Sequence, residues 1–139
     1  MKPTKSKLER LVRAAFWVAP AVLVAAAVLY ATIGGGGSET VYRDLNASVW
    51  FDGRRFTVIN NDDFMWHNVR IDVNGALIQT GYEITPGTLS PGHEYFFSAD
   101  RFTDKNGKRF DPTHEDARTV RIACDIDEHE KGMYARRMK

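Results

Sequence analysis

Thr57-Val58-Ile59-Asn60-Asn61-Asp62-Asp63-Phe64-Met65-Trp66-His67-Asn68-Val69-Arg70-Ile71-Asp72-Val73-Asn74-Gly75 reads as two strands joined by a polar turn. On the first strand Phe56, Val58 and Asn60 alternate with Thr57 and Ile59. On the second, His67, Val69, Ile71 and Val73 alternate with Asn68, Arg70 and Asp72. A period of two with one apolar set is the mark of a strand that buries one face and wets the other. Asn60 to Asp63 is rich in side chains that bond their own backbone and so shape turns. Asn74-Gly75 closes the second strand.

Working back towards the amino terminus, Ala47–Phe51, then Asp52-Gly53, then Arg54–Ile59 carries the signature of a two-residue hairpin. Working forward, Tyr82 and Ile84 form a short strand before the turn-forming Pro86-Gly87 and Ser90-Pro91-Gly92. Tyr95 and Phe97 share a face of Glu94–Ser98, and Val120, Ile122 and Cys124 share a face of Thr119–Ile126. Residues 99–118 are polar and carry no strand period. Six or seven short strands with regular turns predict a mainly β domain over residues 41–139. The expected architecture is an immunoglobulin-like antiparallel β-sandwich, with a small barrel as the alternative. Parallel α/β architecture is excluded, because no crossover helices separate the strands. Trp50, Phe56, Phe64, Trp66, Tyr82, Tyr95, Phe97 and Phe110 supply the aromatic material for a core.

The first 33 residues are a different material. Between Arg13 and Glu39 the 139-residue chain has no charged residue, and Ala14–Ile33 is apolar over 20 positions. About 20 helical residues cross a hydrocarbon core of about 30 Å. Trp17 and Tyr30 lie near the two ends of the run, where amphipathic rings face headgroups and neighbouring subunits. Lys2, Lys5, Lys7, Arg10 and Arg13 against Glu9 give residues 1–13 a net +4, which leaves −3 for the remainder of a chain of net +1. The positive-inside rule then predicts a cytoplasmic amino terminus (residues 1–13), a single transmembrane helix (14–33) and an exoplasmic domain. In a bacterium that means an inner-membrane protein with a periplasmic domain. A cleaved signal peptide competes with this reading, but the small-residue triplet Ala25-Ala26-Ala27 lies inside the apolar run rather than after it. Gly34-Gly35-Gly36-Gly37-Ser38 begins a flexible linker that extends to residue 40. A domain of net −3 lacks the clustered positive surface of a nucleic-acid binder. A single cysteine, Cys124, excludes an internal disulfide and a multi-cysteine metal site.

Together with Leu89-Ser90-Pro91-Gly92, Phe102–Phe110 (FTDKNGKRF) and Val120–Cys124, the opening stretch resembles a loosely defined set of uncharacterised bacterial proteins, membrane-anchored or secreted. These share an NND-F-x-W-x-N-V-x-I strand, an L-x-P-G turn and a D/N-G-x-R-F loop, the last being Asn106-Gly107-Lys108-Arg109-Phe110 here. The resemblance implies a small β-sandwich outside the membrane and carries no activity.

Candidate chemistry is sparse. Asp125, Asp127 and His129 are the residues best suited to a metal, since on a strand they share one face and combine carboxylates with an imidazole. The competing reading is a solvated strand end. Asp104-Lys105-Asn106-Gly107 has the middle of a calcium loop but not its acidic ends, because Phe102 and Thr113 fall at the first and twelfth positions. It reads as a turn. His67, His93, His114 and His129 show no ligand spacing, and no serine has a G-x-S-x-G setting. Cys124, on an apolar face, reads as a buried thiol. Met133–Lys139 reads as a solvated basic terminus, with Arg136 and Arg137 available to anionic headgroups or an acidic partner.

No enzyme and no cofactor are expected. The leading expectation is a single-span accessory subunit or interaction module of a larger membrane assembly (respiratory, photosynthetic, transport or envelope), with the bilayer and other subunits as partners. The alternative is a periplasmic metal- or small-ligand-binding domain.

Overall fold

The computed structural model describes residues 39–76 and 78–139. The basic segment 1–13, the apolar run 14–33 with Trp17 and Tyr30, and the linker residues 34–38 lie outside the described residues. No helix among the described residues is long and apolar enough to cross a membrane.

Among the described residues eight strands follow in order: β1 (Val41–Asp44), β2 (Ala47–Phe51), β3 (Arg55–Asn60), β4 (Trp66–Val73), β5 (Tyr82–Leu89), β6 (Glu94–Ser98), β7 (Thr119–Asp125) and β8 (Glu130–Arg137). A 3-10 turn, Ala99–Arg101, follows β6. They build a five-stranded sheet, β1-β8-β7-β4-β5, and a three-stranded sheet, β2-β3-β6. The architecture is thus mainly β and sandwich-like. Every pairing is antiparallel except β1 against β8, which runs parallel, Val41 opposite Glu130. One core lies between the two sheets. Val49, Phe56 and Val58 on one side meet Trp66, Val69, Ile71, Val120 and Ile122 on the other.

The 99–118 segment holds no strand, yet it completes that core. Thr103 bridges Arg109, so FTDKNGKRF folds back on itself around the Asp104 turn. The Asp104 carboxylate accepts the backbone N–H of Asn106 and of Lys108, both at 2.8 Å. The flanking Phe102 and Phe110 are fully buried and pack on Phe56 at centroid distances of 4.9 and 6.1 Å. Aromatic pairs at such separations add attraction beyond the area they bury.

Several local expectations are corrected. The β2–β3 hairpin pairs Phe51 with Phe56, so the loop residues are Gly53-Arg54 and not Asp52-Gly53. Gly53 has φ 91°, and Asp52 Oδ1 accepts the N–H of both Arg54 and Arg55 at 2.9 Å. A positive φ at the first loop residue alone is the type II′ pattern. His67 is exposed, not on the buried face. A bulge places Asn68 at φ 48°, and Trp66 takes the inward position three residues before Val69. Pro86-Gly87 is not a turn but lies inside β5, beside a second irregularity in the β4–β5 register. Edge strands tolerate a proline, which has no N–H to donate.

Trp50 is not core. Val49 and the partly buried Phe51 point inward, and Trp50, between them, stands on the outer face of the smaller sheet, 43% exposed. The carboxyl terminus is not a frayed tail. Residues 130–137 are β8, between β1 and β7, and the Met138 N–H donates to Arg118 O at 2.8 Å.

Candidate functional site

The Asn60–Asp63 lip is a joint between the two sheets. Asn60 ends β3 fully buried, and its carboxamide donates to Leu89 O on β5 at 3.1 Å and to Phe64 O at 2.9 Å. Its Oδ1 accepts the Asp62 N–H at 3.0 Å. Asp62 Oδ2 in turn accepts the Trp66 indole N–H at 3.0 Å and the Asn46 N–H at 3.2 Å. These bonds use the carboxamide fully, as a buried polar group requires. The lip fixes the approach of the sheets through Asn60 and Asp62, whose side chains are taken up by protein partners, while Asn61 and Asp63 are exposed.

The Asp125–Glu130 stretch is the β7–β8 hairpin. Asp125 lies at the end of β7, where Lys131 Nζ reaches one oxygen at 2.6 Å and Asn68 Nδ2 the other at 2.9 Å. The lysine, and then the asparagine, holds this carboxyl below its ordinary range, while Asp125 raises the Lys131 ammonium. Asp127 Oδ1 accepts the N–H of His129 and Glu130 at 2.7 and 2.8 Å, shaping the turn. Among the described residues no group of three or more His, Cys, Asp or Glu side chains is gathered for a metal.

The remaining candidates are spread apart. Cys124 is buried beneath Gly132, and burial pushes its thiol up to about 11. Such a thiol carries almost no thiolate at neutral pH. His114 Nδ1 sits 2.7 Å from Asp111 on the 99–118 loop, and His93 Nδ1 sits 2.9 Å from Pro91 O beside β6. Arg136 reaches Val49 O at 3.5 Å along the edge between the sheets, whereas Arg137, paired with Thr119, stands on the outer face of the larger sheet.

That outer face holds the arrangement that no motif announced. Paired across β8, β7, β4 and β5, one row reads Ala135, Arg121, Asp72 and Glu83, and the next begins Met133, Ala123 and Arg70. Arg121 donates to Asp72 at 3.2 Å, and Asp72, nearly buried, also accepts the Gly81 N–H at 2.9 Å. The 74–81 loop closes over this pair so tightly that a Cβ on Gly75 would collide with both side chains. Arg121 Nε is buried without a hydrogen-bond partner among the described residues. The two alanines leave hollows on either side of Arg121. One, of about 300 Å³, is lined by Gly75, Ala76, Thr119, Ala135 and Arg137; the other, of about 200 Å³, by Arg70, Glu83, Ala123 and Met133. Met133 stands half-exposed beside them, and Ile78, in the same loop, is 99% exposed. The sequence did carry one signal: Asp72 and Arg121 both fall on the wet alternate of strands whose apolar alternates are buried. A charge pair with a buried Asp72 and a half-buried Arg121 on a wet face is visible only once β4 and β7 are known to be neighbours.

No protein-family model, curated protein or solved structure matches the chain.

Proposed function

We propose that the protein is a non-catalytic, single-span interaction module: an accessory subunit of a larger membrane assembly, whose domain is an immunoglobulin-like sandwich on the exoplasmic side. The observation that carries this reading is the outer face of the larger sheet. There Met133, Ala123 and Ala135 form an apolar floor among Arg70, Arg121 and Arg137, and Ile78 projects beside them. Half-exposed apolar side chains interleaved with arginines are the composition of a protein contact surface. The apolar run 14–33 and its basic flank support the tether, since such a run is cheaper in lipid than in water.

Photo-crosslinking tests it. With a photoreactive residue in place of Met133 or Ile78, the full chain in native membranes is expected to form one discrete adduct with the same protein from both positions. A probe in place of Glu94, on the opposite sheet, is expected to give none. A chain that leaves mild detergent as a monomer, with no protein adduct from either position, overturns the subunit reading. Recovery of a mature chain beginning downstream of Tyr30 from the aqueous fraction overturns the tether.

A further inference from the structure

Two asparagines of the chain precede a glycine, Asn74-Gly75 and Asn106-Gly107, and the fold treats them differently. Such a pair has a chemistry of its own. The glycine nitrogen, its proton lost to hydroxide, can attack the asparagine Cγ, because no glycine side chain obstructs the approach. The step forms the Cγ–N bond of a five-membered succinimide and breaks the Cγ–Nδ2 bond. Ammonia leaves, with a proton taken from water. Water then opens the ring: addition at Cγ gives aspartate, and addition at the main-chain carbonyl gives isoaspartate, in which the chain runs through the former side chain.

Asn74 is held against this reaction. Its Nδ2 donates to Asp116 O at 2.8 Å and to Glu115 Oε1 at 3.3 Å. Its Oδ1 accepts the N–H of Arg118 at 2.7 Å and of Thr119 at 3.3 Å. These four bonds use the whole capacity of a carboxamide. Gly75 is wedged against Asp72 and Arg121, so the attacking nitrogen has no more freedom than the group it would attack.

Asn106 has none of these restraints. Its carboxamide bonds to no side chain or backbone group among the described residues, since its one hydrogen bond is made by its backbone N–H. Residues 105–109 are all exposed, and nothing lies within 4 Å of where a Cβ on Gly107 would stand. The Gly107 N–H does donate to Asp104 O at 3.0 Å, so attack waits on opening of the tip. That opening is local. Every bond that holds the tip runs to Asp104, whose Oδ1 takes the N–H of Asn106 and Lys108 and whose own N–H donates to Lys108 O at 2.8 Å. Phe102 and Phe110, on either side, are anchored in the core and need not move. Exposed segments of this kind open at far lower free energy than the whole domain.

We infer that Asn106 is a site of spontaneous deamidation in the folded protein and that Asn74 is not. Water is the only co-reactant. Isoaspartate at 106 lengthens the main chain inside the Asp104 turn, pulls the Gly107 and Lys108 bonds out of register, and loosens the strap that carries Phe102 and Phe110 into the core.

Incubation of the full chain in heavy-oxygen water at mildly alkaline pH, in mild detergent, followed by peptide mass mapping, reads both sites at once. Wild type should take up heavy oxygen at Asn106, and at Asn74 at least about tenfold more slowly, the factor that 1.4 kcal/mol carries. In urea the two rates should converge, because the bonds that separate them are gone. Asp104→Ala should hasten conversion at Asn106 and leave Asn74 slow. A rise at both sites marks an unfolded variant, and the wild-type ratio then decides alone. Aged wild type should melt below fresh wild type, whereas Asn106→Ser aged beside it should not change. Equal rates at the two sites in the folded chain, retention of the Asn106 amide, or an equal loss of stability in aged Asn106→Ser overturns the inference.

Discussion

Asn60→Ala is the sharpest test of what joins the two sheets. The substitution strands three groups at once: Leu89 O, which is buried, and Phe64 O and the Asp62 N–H, which are partly buried. An orphaned buried polar group costs about 1–3 kcal/mol, and partial exposure reduces that because water can reach the group. One full and two reduced penalties give about 3 kcal/mol. For a domain of about 100 residues each kcal/mol lowers Tm by about 4–8 °C, so the melt should fall by about 12–24 °C. Asn61→Ala is the control, since the Asn61–Ser48 bond is exposed; it should cost less than about 0.5 kcal/mol.

Asn60→Asp separates donor loss from cavity formation. The carboxylate keeps the shape and can still accept the Asp62 N–H, but it turns an oxygen towards two carbonyl oxygens. Its folded-state pKa must therefore rise above the unfolded value. The sign follows: the deficit relative to Asn60→Ala is greatest above the folded pKa and shrinks as pH falls through it, because the protonated carboxyl regains a donor. Thermal and urea melts of the full chain, followed by tryptophan fluorescence from pH 4 to 8, measure all three variants. An Asn60→Ala melt within about 1 kcal/mol of wild type refutes the account, since two stranded carbonyls and a stranded N–H leave no room for so small a loss.

Three further outcomes follow from single contacts. Cys124, with its thiol raised to about 11, should resist alkylation at pH 8 in the folded protein and react fully in urea; rapid native labelling contradicts its burial. Gly132→Ala would drive a Cβ into Leu45 and the Cys124 sulfur and should lower stability by about 1–3 kcal/mol, read from urea midpoints at unchanged m. Asp111, held down to about 2 by the Thr113 hydroxyl and N–H and then by His114, should titrate near that value by NMR. Its contribution to stability is present above the ordinary 3.8 and is lost as pH falls towards 2, and Thr113→Ala should raise the midpoint.

What the sequence disclosed depended on whether a strand faces another sheet. β3, β6, β7 and the second half of β4 each present apolar residues to an opposing layer, so alternation marked them. β1 and β8 do not. The larger sheet has five strands and the smaller three, so part of the larger one extends past any facing layer. β1 is exposed along its whole length. The inward positions of β8 are Glu130, Gly132, Tyr134 and Arg136, of which only Gly132 is buried, under Leu45. Neither strand needs an apolar period, because backbone bonds to β7 and β8 hold them and there is little core to cover. Composition therefore showed a basic tail where the chain forms a central strand.

The same geometry explains why the outward faces were hard to read. Trp50 differs from Phe56 in phase and not in kind; only the inward turn of Val49 and Phe51 sends it out. Phase is the more fragile quantity, since one inserted residue reverses it. At Asn68 the insertion exchanges His67 for Trp66 in the core and then restores the alternation at Val69, and nothing in the residue types from Trp66 to Val69 announces it. Asn68 is one of the few side-chain types that accept φ 48° cheaply, and its carboxamide donates to Asp125, so the bulge is tied to the end of β7. A polar residue on the wet alternate thus carried the information that decides which aromatic is buried. It is legible only together with the partner it bonds, 57 positions away.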